Sequence, residues 1–281
     1  MTSLTERIQK FSMTRKQMAA ILTVLSAIPV FIPIGVPIPI GYTTRDFYNT
    51  IQSLKVGGIV ALPFQETTAH YNSYRDGWTA MLLQLFTRRA KLICYSLQTE
   101  TPQVWETLFR FVDMSKYNYT YGVDYVIFPF LSGDESALAS IGANMRLFTT
   151  DLYGTKTADI PVMAKVRTLA DVDLTISSYS SNDFADMYVR QWPARYGVKA
   201  LTTMRAYGDV AQHYGKYIFG CEDRPAEYEK LTGYAGEDLI ISDAQNVTAV
   251  FIYFSILLGN ITYFLDKRRR QVVSEGQVKK Q

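Results

Sequence analysis

The stretch PVFIPIGVPIPIGY, Pro29 to Tyr42, is apolar enough for a membrane yet carries four prolines, Pro29, Pro33, Pro37 and Pro39. It is a cleaved export signal, a membrane anchor or a piece of soluble core, and the choice fixes where the rest of the chain folds. The preceding QMAAILTVLSAI, Gln17 to Ile28, forms helix readily and follows Arg7, Lys10, Arg15 and Lys16, a basic lead of the kind that opens a signal peptide. No A-x-A-like cleavage site follows, and the apolar run continues through Ile40. Proline removes an amide donor and clashes one turn back, so Pro29 and Pro33 should kink a helix and Pro37 with Pro39 should end it. About 16–19 helical residues from Gln17 would reach roughly 24–28 Å, close to a bilayer core. The reading is an uncleaved anchor over residues 17–42 with an extended, Pro-rich exit; the alternative is a cleaved signal.

Charge placement supports the anchor. Residues 1–16 and 266–281 together hold ten bases and three acids, whereas the 249 residues between hold 19 bases and 23 acids. Each basic end abuts a charge-free run: 28 residues between Lys16 and Arg45, and 22 between Asp243 and Asp266. The second, AQNVTAVFIYFSILLGNITYFL, matches the length of about 20 residues that a spanning helix needs, and it ends in DKRRR. With basic flanks at both chain ends, the positive-inside rule puts both termini in the cytoplasm of a plasma or inner membrane. The expected order is therefore a basic tail (1–16), a span (17–42), an extracytoplasmic domain (43–243), a span (244–265) and a basic tail (266–281). Ser255, Gly259, Asn260 and Thr262 are small or polar residues through which the second span could mate with another helix.

The middle alternates strand-like and helix-like stretches. GGIVALPF (57–64), KLICYSL (91–97), VDYVIFPFL (123–131), DLTISS (173–178), KALTTM (199–204) and YIFG (217–220) read as strands. Between them, residues 70–89, 101–114, 132–148, 181–196 and 206–217 read as helices, with 225–234 as a last one. Continuous apolar strands alternating with helices predict a mostly parallel, Rossmann-like three-layer α/β domain, here flanked by N- and C-terminal transmembrane helices.

Ligands in such sheets bind beyond the carboxyl ends of the strands. The candidates there are Gln65 and Glu66, Ser132, Gly133 and Asp134, and Ser177 and Ser178, all of which also serve as ordinary caps and turns. MRAYGD (204–209) stands at a further strand end. No dinucleotide, P-loop or nucleophile-elbow motif is present, and no cofactor is implied. His70 and His213 are the only histidines, so a His-rich metal site is excluded and a hydrolase triad would have to use one of them. No catalytic or metal-ligating residue is assigned. Cys94 and Cys221 are the only thiols; a bridge is chemically permitted outside the cell, while the mid-strand place of Cys94 favours a buried free thiol. A net charge of +3 gives no sign of nucleic-acid binding.

GVDYVIFPFLSGDESALASIG, DLYGTKTADIPVM, ARYGVKALTTM, PAEYEKL, DAQN and LLGNITYF, together covering most of residues 122–264, resemble an uncharacterised prokaryotic family of two-span membrane proteins with an extracytoplasmic α/β domain. The resemblance implies that the last helix runs through Ala-Glu-Tyr-Glu and Asp-Ala-Gln segments into the final span. It brings no activity and no catalytic residue. The chain departs from the pattern at GCEDRP (220–225), where a Gly/Ala-rich turn is expected. Three functions remain open: a non-enzymatic structural or assembly subunit of an oligomeric membrane complex, a membrane-tethered solute-binding or sensing domain, and a hydrolase-like enzyme. The absence of catalytic motifs and the 20 tyrosines and 15 phenylalanines favour the first.

Overall fold

A computed structural model describes residues 14–32, 34–179, 181–203, 217–222 and 225–278. The chain divides into two compact units: the residues up to Pro37 together with those from Leu239 on, and Ile38–Asp238.

The first unit is helical. Helix α1 (Arg15–Phe31) opens with a capping box, in which the Thr14 side chain and Gln17 each meet the other's backbone amide. It carries Pro29 internally and stops at Ile32, earlier than the prolines further along would have ended it. Its partner is the part of helix α9 (Glu237–Val278) that lies beyond Asp238. Within the unit, the Asp243 carboxylate accepts the backbone N–H groups of Ile34 (3.0 Å), Gly35 (2.7 Å) and Val36 (2.8 Å). Gly35 has φ +67°, which lets three successive amides converge on one acid. Residues 237–264 of α9 are long and apolar enough to cross a membrane, the one such helix among the described residues. Tyr253, Phe254, Leu257 and Phe264 on it are exposed.

The second unit carries a sheet of six strands: β1 (Ile59–Gln65), β2 (Lys91–Ser96), β3 (Tyr125–Phe130), β4 (Leu174–Tyr179), β5 (Ala200–Thr203) and β6 (Ile218–Glu222). Every neighbouring pair is parallel, and the order is β3-β2-β1-β4-β5-β6. The expected α/β, Rossmann-like architecture is present. The chain builds outward from β1 to β3, returns to the other side of β1, and builds outward again to β6. The order reverses at β1 and β4, and in open sheets of this order ligands bind beyond the carboxyl ends of the strands at that point.

Alternate side chains of the buried strands pack two opposite layers. One holds α2 (Tyr42–Gln52), α3 (Tyr71–Thr87), α4 (Thr101–Val112) and α8 (Pro225–Thr232) over Val60, Leu62, Phe64, Leu92, Cys94 and Ile176. The other holds α5 (Asp134–Ala143) and α6 (Asn182–Gln191) over Ile93, Tyr95, Val126 and Phe128. The short helix α7 (Pro193–Tyr196) follows α6. Helix α2 falls in a segment to which the sequence assigns no element; it buries Phe47 and Ile51 on one face, and Phe47 meets Tyr228 edge-on at 5.0 Å. Glu227 accepts the Gly41 amide at 2.7 Å, so the Ala-Glu-Tyr-Glu segment ties α8 to the start of the domain.

The expected option of a Cys94–Cys221 bridge is corrected here. Cys94 is a free, fully buried thiol on β2. Cys221 belongs to β6, four strand spacings away, or roughly 19 Å at about 4.8 Å per strand, far beyond disulfide reach.

Candidate functional site

Strand β1, IVALPFQ, is buried from Val60 to Phe64 although it carries Pro63 at the centre of the sheet. A central proline costs a ladder bond. The pairing of β1 with β4 accordingly runs through Val60 and Ala61, then resumes at Phe64 and Gln65. The Ser177 hydroxyl donates to the Pro63 carbonyl at 3.1 Å across this gap. Ser177 therefore fastens the sheet. Ser178, the next residue, points its hydroxyl elsewhere.

That hydroxyl donates at 2.8 Å to Oε1 of Glu66, the residue immediately after β1. The indole N–H of Trp78, on α3, donates to Ser178 Oγ (3.1 Å) and to Thr203 Oγ1 (3.2 Å), which orients the serine from behind. The Glu66 backbone is clamped as well: Thr101, at the start of α4, accepts from its N–H (3.1 Å) and donates to its carbonyl (2.8 Å). Glu66 thus joins β1, β4 and α4 where the sheet order reverses, with Trp78 of α3 behind Ser178.

Glu66 is fully buried. Its second carboxyl oxygen, Oε2, has no hydrogen-bond partner and lies 3.4 Å from Nδ1 of half-exposed His70, which likewise lacks one. Burial penalises the ionised form and pushes the Glu66 carboxyl up to about 7, against a smaller downward pull from the Ser178 hydrogen bond. Aromatic rings pack together on the same side of the sheet, in the layer of α3 and α4. Phe64 lies 5.3 Å from Trp78 and 4.1 Å from Trp105 between ring centres, and Tyr74 lies 5.5 Å from Trp78. The indole nitrogen of Trp105 and the hydroxyl of Tyr71 are further buried atoms without hydrogen-bond partners. Gln65, Thr67, Thr68 and His70 are all at least partly open to solvent. Glu100 accepts both the Thr68 amide and hydroxyl, which hold its carboxyl below the usual range.

Of the sequence-derived candidates, the fold brings together Gln65, Glu66, Ser177 and Ser178. Ser132, Gly133 and Asp134 follow β3, two strands from β1 at the sheet edge. There Gly133 takes φ +123°, and a Cβ on it would come within 2.5 Å of Ser136 Oγ, so the glycine serves the tight entry into α5. His213 and residues 204–209 lie outside the described residues. His70 precedes α3 without capping it through its side chain and meets a carboxylate instead of a hydroxyl, so no Ser–His pairing arises from it. Trp78, Thr101 and Thr203 belong to the site but read in sequence as core, cap and strand. Cavities among the described residues lie elsewhere, one of about 470 Å³ beside Arg110, Tyr125 and Tyr153 and one of about 360 Å³ at the amino ends of the strands beside Lys55 and Asp173. No group of three or more metal-ligating side chains occurs among the described residues.

No family model matches the chain, and no curated protein matches it. Among solved structures, a trehalose-6-phosphate synthase matches at a TM-score of 0.29 and 8% identity, over 86% of this chain and 49% of that one. The chain thus spans about half the length of that enzyme, and a likeness this weak carries no argument about function.

Proposed function

We propose that this protein is a membrane-tethered, extracytoplasmic α/β domain that binds a small solute at the switch point between β1 and β4. The observation that carries the reading is the buried Glu66 carboxyl at the switch point, with one oxygen held by Ser178 and the other without a hydrogen bond, 3.4 Å from His70 Nδ1. A fully buried acid with a strongly shifted carboxyl costs stability, and such groups concentrate at sites of function. The tether consists of the α9 span and, less apolar and only 17 residues long, α1. Both basic ends then face the cytoplasm.

Thermal unfolding of the full chain in lipid nanodiscs, read across a library of small solutes, tests the binding reading. At least one solute should stabilise the protein, by the linkage that any ligand of the folded state obeys. Its effect should vanish in Glu66→Ala. A library that leaves the transition unmoved counts against the reading. For topology, a cysteine added near residue 155 should label from outside intact cells, and one added after Arg270 should not; reversed labelling overturns the placement.

A second reading, a structural subunit of a homo- or hetero-oligomeric membrane assembly, draws on α9. Ser255 and Thr262 spend their hydroxyls on the carbonyls of Phe251 (2.8 Å) and Leu258 (2.7 Å), while Gly259 has open space around its Cα and Asn260 is exposed. That leaves Gly259 and Asn260 as the contact for another helix. Native mass spectrometry from mild detergent tests it: a monomer at every concentration rejects an assembly role.

A further inference from the structure

We propose that the group bound at Glu66 is a protonated amine carrying at least one N–H, which donates to Oε2, the carboxyl oxygen that accepts no hydrogen bond within the fold. The inference rests on the solute-binding reading above and names the ligand's chemistry.

The charges around the site lead to it. Among the described residues, His70 is the one basic side chain within ion-pair distance of Glu66, and its contact is 3.4 Å without hydrogen-bond geometry. Arg75, one turn into α3, is already committed: its Nε donates to Asp76 at 2.7 Å and its guanidinium lies 4.8 Å over the Phe111 ring. An anionic ligand would face a carboxylate in apolar surroundings, where like charges repel most strongly. A neutral hydroxyl would give Oε2 a hydrogen bond but leave the ionised acid uncompensated. An ammonium group does both. His70, half-exposed, is the neighbour of Oε2 that meets solvent.

Binding to the protonated acid exchanges one proton for the cation: the carboxyl releases H⁺ to solvent and the ammonium keeps all of its own. Affinity should therefore rise with pH through the range in which Glu66 ionises. The other titratable groups on adjoining elements are His70, Tyr71 at the start of α3, Glu100 bound to Thr68, and Tyr179 beyond Ser178. The His70→Gln variant separates the nearest of these from Glu66.

Trp78 and Trp105 report on the site through intrinsic fluorescence. The full chain in phosphatidylcholine nanodiscs, whose headgroup offers no N–H, is titrated with butylammonium, 1-butanol, butanoate and tetramethylammonium. Butylammonium should bind at least about tenfold more tightly than the other three, and more tightly at pH 8.5 than at pH 5.5. Glu66→Gln keeps the oxygen that Ser178 needs and should lose that preference, while His70→Gln should keep the pH dependence. Nanodiscs of phosphatidylethanolamine distinguish a lipid headgroup from a free amine: competition there points to the lipid. Equal binding of butanol, or butylammonium binding that survives Glu66→Gln, overturns the amine while leaving a solute site standing. No binding of butylammonium also overturns it, and the solute library decides separately whether the switch point binds anything.

Discussion

Asp243 in the helical unit and Glu66 in the α/β unit are both fully buried acids, and their surroundings treat them differently. Asp243 has both oxygens occupied, Oδ2 by the amides of Ile34 and Gly35 and Oδ1 by that of Val36. The donors come from backbone whose geometry is fixed by Gly35 and its neighbours, so the acid is a complete fastening between a loop and a helix. Glu66 has one oxygen occupied and the other facing a half-exposed histidine. A buried acid retained with half of its bonding capacity unused is poorly explained by stability, because satisfying or replacing it would cost the fold less. The contrast separates an acid whose bonding is complete within the fold from one whose bonding is not.

The sharpest way to break this contrast is Glu66→Gln. Burial raises the Glu66 carboxyl from 4.5 to about 7, so the folded state holds its proton more tightly than the unfolded state does. The stabilising contribution of the protonated acid is fully present below about pH 4.5, declines above it and is gone above about pH 7, a difference of about 3 kcal/mol. Glutamine mimics the neutral acid at every pH. Chemical denaturation should therefore find the variant about 3 kcal/mol more stable than the parent at pH 8 and little different at pH 4.5. A variant less stable at pH 8 would mean that the ionised Glu66 carboxylate is itself a fastening of the fold.

Asp243→Asn probes the other side. Asparagine keeps one acceptor oxygen and loses the charge, so part of a three-amide fastening is lost at a cost of about 2 kcal/mol. Hydrogen exchange at the Ile34, Gly35 and Val36 amides should accelerate about thirtyfold, the kinetic equivalent of that energy. Unchanged protection there would show that the loop holds its shape without the acid.

Much of this architecture is legible in the sequence, because buried parallel strands are continuous apolar runs and IVALPF, KLICYS and YVIFPF are unmistakable as such. Helix α2 is not: YTTRDFYNTIQ has only Phe47 and Ile51 fully buried among its apolar residues, too few to mark a period. Glu66 and Ser178 can each be placed at a strand end by reading alone. Their partnership cannot, because they lie 112 residues apart and meet only through the sheet order that sets β4 beside β1. Trp78 shows the same limit in reverse. Its helical spacing marks it as core, and it is core, yet its indole N–H is what aims Ser178. Sequence periodicity reports which face a residue occupies, not what its one polar atom does there.

Ser178→Ala gives the smallest effect and the finest test of how Glu66 is held. The Ser178 hydroxyl is the group that lowers the Glu66 carboxyl against the larger effect of burial. Removing it leaves both carboxyl oxygens without a hydroxyl donor, so the midpoint should move above 7, while Trp78 keeps its bond to Thr203 at 3.2 Å. The ionised state then becomes dearer by about 1 kcal/mol, visible as a steeper loss of stability between pH 7 and 9 and absent at pH 4.5. Fluorescence of Trp78 followed against pH locates the midpoint directly. If it stays near 7, the serine orients Glu66 without stabilising its charge, and the upward shift of the carboxyl is set by burial alone.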